Sequence, residues 1–485
     1  MASHEELYRL TATEAVRLLK KREVSPLELI DAALDRIERV EPAVNALPTL
    51  AAERARDHAR RLMSGRPAPP STGSGSRGWL AGLPIAIKDL VDVAGVRTTY
   101  GSPIYADHVP AASAPLVERL EKSGGIVLAK SNTPEFGAGG STFNEVFGRT
   151  RNPWNTSLTS GGSSGGAAVA LATGEVWLAQ GSDQGGSLRG PASYCSVVGL
   201  RPSPGRVPRA APSNLWSPLS VEGPMARNLP DLALFLDAMC GEDPGDPLSL
   251  PPPETSFVAA LAEPVAPRRV GWSPDLGVGP VAPETKELCA AAARRFEELG
   301  ARVEEACPDL ADATPIFMAL RGVYFAVARA PLLEKERARI KPDIVWNTEV
   351  GLKLTGAEIA EAERKRAALY RRVLDFFRTY DLLLCPCRPV PAFDVTLRHP
   401  ATIAGEPPAT YISASALTYA ITVTSCPAIS VPCGFTRDGR AVGLQIVGRP
   451  RGEMALLGAA FLFERLMGLD RLLPIDPRPG TVPPE

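Results

Sequence analysis

This 485-residue chain lacks the features that mark membrane-spanning or secreted proteins. No uninterrupted apolar run approaches the ~20 residues that a bilayer-spanning helix needs, and the apolar stretch 232–240 is broken by Asp237 and predicts a buried helix. The first residues are charged and contain neither the basic nor the apolar region of a secretory signal. We therefore expect a cytoplasmic protein with no membrane partner.

The sequence also lacks an excess of charge of either sign. It has 53 lysines and arginines against 54 aspartates and glutamates, for a net charge of -1. This balance supplies no strongly basic surface for a nucleic acid or an anionic membrane. The share of hydrophobic residues, 45%, is that of an ordinary globular protein. We expect no nucleic-acid partner.

Histidine is scarce, and the cysteines do not form a metal-binding pattern. The four histidines are far apart in the sequence: His4, His58, His108 and His399. The pair Cys385 and Cys387 lacks a second Cys/His pair at zinc spacing, and the eight cysteines are scattered among apolar neighbours. We expect buried, reduced thiols, with no disulfide framework and no metal or organic cofactor.

Hydrophobic periodicity predicts helices alternating with short buried strands. Helices are expected over 13–21, from 25 onward, and over 115–122, 166–173, 284–299, most of 311–380, and 454–467. Strands are expected over 83–87, 125–129, 176–179, 269–272, 382–384, 428–431 and 442–447, and an exposed loop over 65–78. Ser25, Pro26 and Glu28 have the spacing of a capping box. This alternation predicts an α/β fold of three α/β/α layers around a large mixed, mainly parallel central sheet.

Two serines in glycine-rich turns and one lysine in an apolar run carry the best indication of chemistry. Ser163 lies within 160–166, Ser187 within 181–189, and Lys88 within the strand-like run 83–90. Glycines permit positive φ angles and a close approach of substrate to the main chain. A lysine on a core strand is costly unless it is neutral or partnered. Together they predict a serine nucleophile, a bridging serine and a desolvated lysine base.

These segments resemble the amidase signature family. The resemblance rests on 83–89, 161–166, 181–189, 191–193 and 198–202, and extends more weakly to 223–227, 427–432 and 442–445. It implies that Ser187 is the nucleophile, that Ser163 is the bridging serine after a cis peptide bond, and that Lys88 is the base. It implies one amidase domain over 1–485, with the signature core at 80–230 and a helical cap or insertion at about 311–380 shaping substrate access.

Supporting roles follow from the same loops. The backbone N–H groups of Gln184, Gly185, Gly186 and Ser187 are expected to form an oxyanion hole. Asp183 and Arg189 are expected to brace that loop by hydrogen bonding. Ser164 is either a supporting hydroxyl beside the reacting groups or a simple turn residue.

The resemblance implies hydrolysis of amide C–N bonds in small uncharged acyl compounds. Carbamates and esters are further substrates that this chemistry allows, so a urethanase activity is a hypothesis. Apolar and aromatic residues within 315–325 could line an acyl or aryl pocket. A monomer or a homodimer is expected.

Two alternatives stay open at the level of sequence. Residues 161–165 also fit the nucleophile elbow of an α/β-hydrolase, which would make Ser163 the nucleophile and require His399 as its partner. His58 and His108 are assigned surface or structural roles. The other alternative is the glutaminase-type subunit of an aminoacyl-tRNA amidotransferase, although 219–224 departs from the Leu-Asp-Gln pattern expected there.

Overall fold

The computed structural model describes residues 3–65, 77–209 and 213–482. Its α-helices, in chain order, are α1 His4–Arg9, α2 Ala12–Lys21, α3 Pro26–Val44, α4 Ala52–Met63, α5 Pro115–Lys122, α6 Gly165–Thr173, α7 Arg189–Cys195, α8 Leu229–Met239, α9 Phe257–Ala260, α10 Pro283–Arg294, α11 Ala313–Glu336, α12 Pro342–Lys353, α13 Gly356–Phe376, α14 Ala416–Thr422 and α15 Glu453–Met467. Of the loop predicted over 65–78, residues 66–76 lie outside the described residues.

The strands, in chain order, are β1 Thr49–Leu50, β2 Pro84–Lys88, β3 Ile126–Ser131, β4 Phe143–Asn144, β5 Gly148–Arg149, β6 Arg151–Asn152, β7 Asn155–Thr159, β8 Leu178–Asp183, β9 Val198–Arg201, β10 Val221–Ala226, β11 Arg269–Trp272, β12 Arg302–Glu305, β13 Leu382–Pro386, β14 Ala428–Phe435 and β15 Ala441–Val447. Eleven of them form one sheet in the order β1-β3-β2-β8-β10-β9-β14-β15-β13-β11-β12. Helices cover both faces of this sheet, which confirms the α/β architecture.

The balance of parallel and antiparallel pairing differs from the expectation. Only β2/β3, β2/β8, β11/β12 and β11/β13 pair in parallel, whereas the other six neighbouring pairs of the large sheet are antiparallel. The sheet is therefore mixed but not mainly parallel. The reason is local: β14 and β15 are joined by a short hairpin, and β10 runs back antiparallel between β8 and β9.

The start of α3 illustrates how local sequence sets an element. The Ser25 side chain accepts a hydrogen bond from the Glu28 backbone, the Glu28 carboxylate bonds back to Ser25, and Pro26 occupies the first turn. These contacts satisfy N–H groups that the first helical turn leaves without partners. The predicted capping box is confirmed.

The segment Ala313–Arg339, which contains α11, is apolar for its length. Its 27 residues include an 18-residue window of mean hydropathy 1.5, enough by length and composition to cross a bilayer, and 33% of that window is buried. The sequence was expected to contain no uninterrupted apolar run of bilayer-spanning length. Arg321 and Arg329 do interrupt this run, but they do not greatly lower its mean hydropathy. Helix α11 packs along α12 and α13, and Arg321 is buried. Core helices of soluble proteins meet the same criterion.

The reactive segments converge at one edge of the sheet. Lys88 is the last residue of β2 and Asp183 the last residue of β8, and these two strands are parallel neighbours. The carboxyl ends of parallel strands face the same way, so the residues that follow them are brought together. The turn containing Ser163 and Ser164 leads directly into α6, whose residues are all buried.

Candidate active site

Lys88 is fully buried and contacts three serine hydroxyls. Its Nζ lies 2.7 Å from Ser163 Oγ, 2.9 Å from Ser164 Oγ and 3.1 Å from Ser182 Oγ. Burial lowers the pKa of Lys88 to about 7, although the carboxylates of Glu222 and Asp183 oppose that change. A large fraction of Lys88 is therefore uncharged near neutral pH.

Three hydroxyl contacts satisfy either protonation state of Lys88. An ammonium would donate to all three hydroxyls, whereas a neutral amine has two N–H donors and one lone pair, so it would donate to two of them and accept from the third. Ser164 Oγ also lies 3.4 Å from the Ser182 carbonyl oxygen, to which it donates, so it accepts from Lys88. With Ser182 as the second acceptor, the lone pair is left for the Ser163 hydroxyl. Ser182 was not predicted from the sequence as a contact of the lysine.

A second buried lysine shows what a structural lysine looks like in the same sheet. Lys130, in β3, lies 3.4 Å from the Asp89 carboxylate and donates to the Val91 carbonyl and the Thr98 hydroxyl. Lys130 therefore has an anionic partner within ion-pair distance, whereas the hydrogen-bond partners of Lys88 in the described residues are neutral hydroxyls. This difference singles out Lys88 as a base candidate.

Ser163 is buried, and the Gly162–Ser163 peptide bond is cis, as the resemblance implied. The Arg388 guanidinium donates to the Gly162 carbonyl at 3.3 Å. The Thr142 hydroxyl donates to the Gly161 carbonyl at 2.8 Å. These hydrogen bonds fix the turn that points Ser163 at the lysine.

The loop after β8 is held by a buried carboxylate. Asp183 accepts from the Gly186 N–H at 2.9 Å, from the Leu188 N–H at 3.2 Å and from both the Nε and Nη2 of Arg189. Burial alone would raise the pKa of Asp183, but Arg189 and Arg201 hold it well below its usual value. The predicted bracing contacts of Asp183 and Arg189 are present.

Gly186 occupies a place that no larger residue fits. Its φ angle is +110°, and a Cβ built there would lie 2.2 Å from Thr418 Oγ1. The Thr418 hydroxyl donates to the Gly185 carbonyl at 2.6 Å, so α14 presses directly on this loop. The glycine is needed both for its backbone conformation and for this close approach.

The structure changes which of the expected oxyanion-hole donors are available. The Gly186 N–H is directed at Asp183, so it is already engaged. The N–H groups of Gln184, Gly185 and Ser187 donate to no group in the described residues. Three of the four expected donors therefore have no partner in the part of the chain that the structure describes, and Gly186 braces the loop.

Ser163 and Ser187 line one cavity of about 630 Å³. No hydrogen bond joins their side chains within the described parts of the chain. The structure thus brings Lys88 and Ser163 into direct contact and places Ser187 on the same cavity. The hydrogen bond between Ser163 and Ser187 that a direct proton transfer would need is not formed.

One part of this cavity is aromatic. Tyr105 packs edge-on against Phe136 with ring centroids 6.1 Å apart and against Tyr100 at 5.1 Å, and His108 stacks on Tyr100 at 5.9 Å. These four residues, which we call the aromatic wall, all line the cavity. Tyr324 and Phe325 of α11 also line it, which agrees with the expectation for 315–325. His108 was assigned no functional role from sequence.

Five charged residues that line the cavity were not predicted as site residues: Asp92, Arg209, Glu222, Arg321 and Arg329. Glu222, in β10, receives a hydrogen bond from the Gln180 side chain and lies 3.6 Å from Arg209 Nε. Burial raises the pKa of Glu222, although Arg209 and Lys88 oppose that change. Arg321, from α11, donates to the Gln184 side chain. The sequence contained one indication of Glu222 as a site residue, which is that this glutamate lies inside the apolar run 221–226.

The other histidines lie away from these contacts. The hydrogen bond of His399 goes to the Pro400 carbonyl at 3.0 Å, and His399 does not line the cavity of Ser163. His58 is buried beside Glu121, 3.7 Å away, and burial lowers its pKa. The arrangement required by the nucleophile-elbow alternative is not present among the described residues.

The fold and the site together define an α/β protein whose central mixed sheet carries a buried lysine against a serine turn. The family model named Amidase matches residues 28–457, and the chain belongs to this family, known as the amidase signature family. The expectation of an amidase-type hydrolase acting on amides is confirmed at this level.

Individual relatives cover almost the whole chain. An acylamidase of Rhodococcus erythropolis is 36% identical over 464 residues, covering 95% of this chain and 96% of its own. A glutamyl-tRNA(Gln) amidotransferase subunit of Moorella thermoacetica is 37% identical over 485 residues, covering 95% and 97%. Among solved structures, a bacterial aryl acylamidase of the amidase signature family has a TM-score of 0.87 at 30% identity, covering 96% and 98%.

Proposed function

We propose that this chain hydrolyses the C–N bond of aryl-bearing amides through an acyl-enzyme on Ser187, with Ser163 and Lys88 as the proton relay. The observation that carries the proposal is the 2.7 Å contact between Lys88 and Ser163 in the wall of the cavity that Ser187 lines. The acylamidase relative and the aryl acylamidase structure support the choice of substrate.

The first step forms the acyl-enzyme. Ser187 Oγ attacks the carbonyl carbon while its proton passes to Ser163 and the Ser163 proton passes to Lys88. The carbonyl oxygen becomes an oxyanion that accepts hydrogen bonds from the N–H groups of Gln184, Gly185 and Ser187. One such donor is worth about 3 kcal/mol in other hydrolases. The C–N bond then breaks as Ser163 protonates the departing nitrogen and recovers a proton from Lys88.

The second step releases the acid. A water molecule attacks the acyl carbon and gives its proton through Ser163 to Lys88, the Ser187–acyl bond breaks, and Ser187 is reprotonated by the same route. This relay requires a hydrogen bond between Ser163 and Ser187 that the structure does not contain. Catalytic hydrogen bonds are often long in the free enzyme and shorten when substrate binds.

The aromatic wall supports an aryl-bearing substrate. Aromatic rings prefer edge-on or offset partners with centroids about 4.5–7 Å apart, so an aryl group can add to the Tyr105 and Phe136 pair. Aryl carbamates share the same carbonyl addition and the same departing amine. Hydrolysis of carbamates is therefore a second proposed activity of this site, and ester hydrolysis a third.

The proposal is tested by assaying the purified protein on primary amides, anilides, aryl carbamates, esters and glutamine. The Ser187→Ala variant should lose all turnover, whereas Ser249→Ala, outside the cavity, should retain it. Anilide hydrolysis that depends on Ser187 supports the proposal. Release of ammonia from glutamine only when a partner protein of an amidotransferase is added would overturn it in favour of the glutaminase-type alternative, and turnover of no substrate would also overturn it.

A further inference from the structure

We propose that Glu222 selects substrates whose scissile carbonyl is bonded to an N–H group, by accepting a hydrogen bond from that N–H. This inference rests on the function proposed above and narrows its substrate class. The favoured substrates are primary and secondary amides and N–H carbamates. Esters and tertiary amides are disfavoured, because the atom next to their carbonyl has no hydrogen to donate.

The strand register places Glu222 beside the reactive groups. Glu222 of β10 is directly opposite Ser182 of β8 in the antiparallel ladder. Residues paired in this way project from the same face, with Cβ atoms about 4.5–5.5 Å apart. Ser182 Oγ lies 3.1 Å from Lys88 Nζ, and Lys88 Nζ lies 2.7 Å from Ser163 Oγ. Glu222 therefore shares a wall with the proton relay.

The side chain of Gln180 determines which oxygen of the Glu222 carboxylate accepts a hydrogen bond from the protein. Gln180 Oε1 accepts from the Lys88 backbone N–H at 3.0 Å, so the amide orientation is determined. Gln180 Nε2 then donates to Glu222 Oε2. One oxygen of the carboxylate is thus occupied by a partner that is itself held by the lysine strand.

The other oxygen has an ion-pair partner but no hydrogen bond. Glu222 Oε1 lies 3.6 Å from Arg209 Nε, close enough for an ion pair but too long for a hydrogen bond, and it accepts no hydrogen bond within the described residues. The Glu222 side chain is 12% exposed and lines the cavity shared with Ser163, Ser182 and Ser187. The ion pair with Arg209 holds the carboxylate in place, and Oε1 can still accept a hydrogen bond from a substrate in the cavity.

The proton relay determines which substrate atom meets this oxygen. Ser163 must lie within hydrogen-bond reach of the departing nitrogen in order to protonate it. Because Glu222 is on the same wall, the hydrogen on that nitrogen can point to Oε1. An ester would place its bridging oxygen there, with lone pairs facing a carboxylate. Hydrogen bonds to charged groups are strong enough to give about tenfold to a hundredfold discrimination.

The Glu222→Gln variant replaces a hydrogen-bond acceptor that faces the cavity by a donor, and it hardly changes the shape of the side chain. Gln180 Nε2 still needs an acceptor, so the oxygen of the new amide turns toward Gln180. The NH₂ group of the new amide then faces the cavity, where a donor replaces an acceptor. This variant should favour an ester oxygen over an amide N–H.

The experiment compares 4-nitroacetanilide with 4-nitrophenyl acetate, which have the same acyl and aryl groups. In Glu222→Gln the ratio of kcat/KM for anilide to that for ester should fall at least tenfold from the wild-type ratio, through loss on the anilide. Asp92→Asn removes a carboxylate that lines the same cavity and bonds Tyr100, and it should leave the ratio unchanged.

A second measurement on the wild-type protein does not depend on the folding of a variant. The anilide should be hydrolysed at least tenfold faster than its N-methyl analogue, and that preference should shrink in Glu222→Gln. A ratio that is unchanged in Glu222→Gln, or equal losses on anilide and ester, overturns the role of Glu222 while the proposed hydrolase stands. Failure of the wild type to hydrolyse either substrate overturns the proposed function itself.

Discussion

Lys88 Nζ lies 2.7 Å from Ser163 Oγ at a position that solvent does not reach. The lysine is held there by β2, every residue of which is buried, and the serine by a turn that leads into a buried helix. The pair therefore combines an amine and a hydroxyl that are both buried.

Activity should depend on pH through Lys88. Burial lowers the pKa of Lys88 to about 7, so the amine is protonated below that pH and cannot accept a proton. We expect kcat/KM for an anilide to rise about tenfold per pH unit below about 7 and to level off above it. The profile should be measured from about pH 5 to about pH 9, a range that brackets the lysine pKa.

Two variants distinguish the loss of the proposed base from the loss of any buried lysine. Lys88→Met should lower kcat by about 10²–10⁴-fold. Lys130→Met removes the other buried lysine described above and should reduce the free energy of unfolding without moving the acidic limb of the pH profile. An acidic limb that shifts in Lys130→Met contradicts the assignment of that limb to Lys88.

Covalent labelling should distinguish the roles of Ser163 and Ser187. A fluorophosphonate probe forms a stable adduct with an activated serine, so Ser187→Ala should show no labelling in intact-mass measurements. Ser163→Ala should label about 10²–10⁴-fold more slowly, because it loses the relay but keeps the nucleophile. Ser164→Ala retains both Ser163 and Lys88 and should be affected much less. Full labelling of Ser187→Ala would point to Ser163 as the nucleophile.

The buried ion pairs of Asp183 should make a large contribution to stability. Asp183→Asn leaves the guanidinium groups of Arg189 and Arg201 without their anion, which costs about 3–5 kcal/mol for a buried pair. The exposed pair of Asp375 and Arg378, 3.3 Å apart, is the matched control. Asp375→Asn should cost about 0–1 kcal/mol. Urea denaturation compares the two, and equal losses would contradict the role of burial.

The aromatic wall should discriminate between aryl and aliphatic amides. Replacement of Tyr105 by leucine removes the edge-on partner of Phe136 and keeps an apolar side chain. Because an aromatic pair is worth about 0.5–1.5 kcal/mol beyond its buried area, KM for an anilide should rise about threefold to tenfold. KM for an aliphatic amide of similar size should not change. Equal increases for both substrates would show that the wall only shapes the cavity.

Patterns over a few neighbouring residues were sufficient to predict much of the fold and part of the candidate site. The capping box at Ser25 and the buried run that ends at Lys88 follow from residue type and spacing. The glycine-rich turns indicated which serines to examine. In contrast, the two-residue strands of 143–152 have too few residues to show any period, and they were not predicted.

The missed site residues depend on contacts between distant segments. Glu222 lies beside Ser182, a contact of Lys88, only because β10 is aligned so that residue 222 opposes residue 182. A shift of one residue would turn Glu222 to the other face of the sheet. Nothing local in the sequence specifies that register. The engagement of the Gly186 N–H by Asp183 was likewise not visible, since it depends on how the loop folds back.

A carboxyl pair outside the site should make stability depend on pH. Burial raises the pKa of both Glu41 and Glu175, whose carboxyl groups are neighbours, and Glu175 Oε2 has no hydrogen-bond partner among the described residues. A pKa raised by folding gives stability that is present at low pH and lost as pH rises through the folded value. Glu175→Gln should therefore increase Tm relative to the wild type, by a margin that grows as pH rises above about 4.5. A margin independent of pH would contradict a raised pKa of Glu175 in the folded protein.

Arg189, next to the proposed nucleophile, donates to the Thr418 carbonyl at 3.0 Å and to the Gln445 side chain. These partners lie 229 and 256 residues further along the chain. A nascent polypeptide leaving the ribosome consequently carries both serine turns long before the segments that hold them in shape. The enzyme should stay inert until its last strand has been synthesised and docked, and a fragment limited to residues 80–230 should bind and turn over nothing.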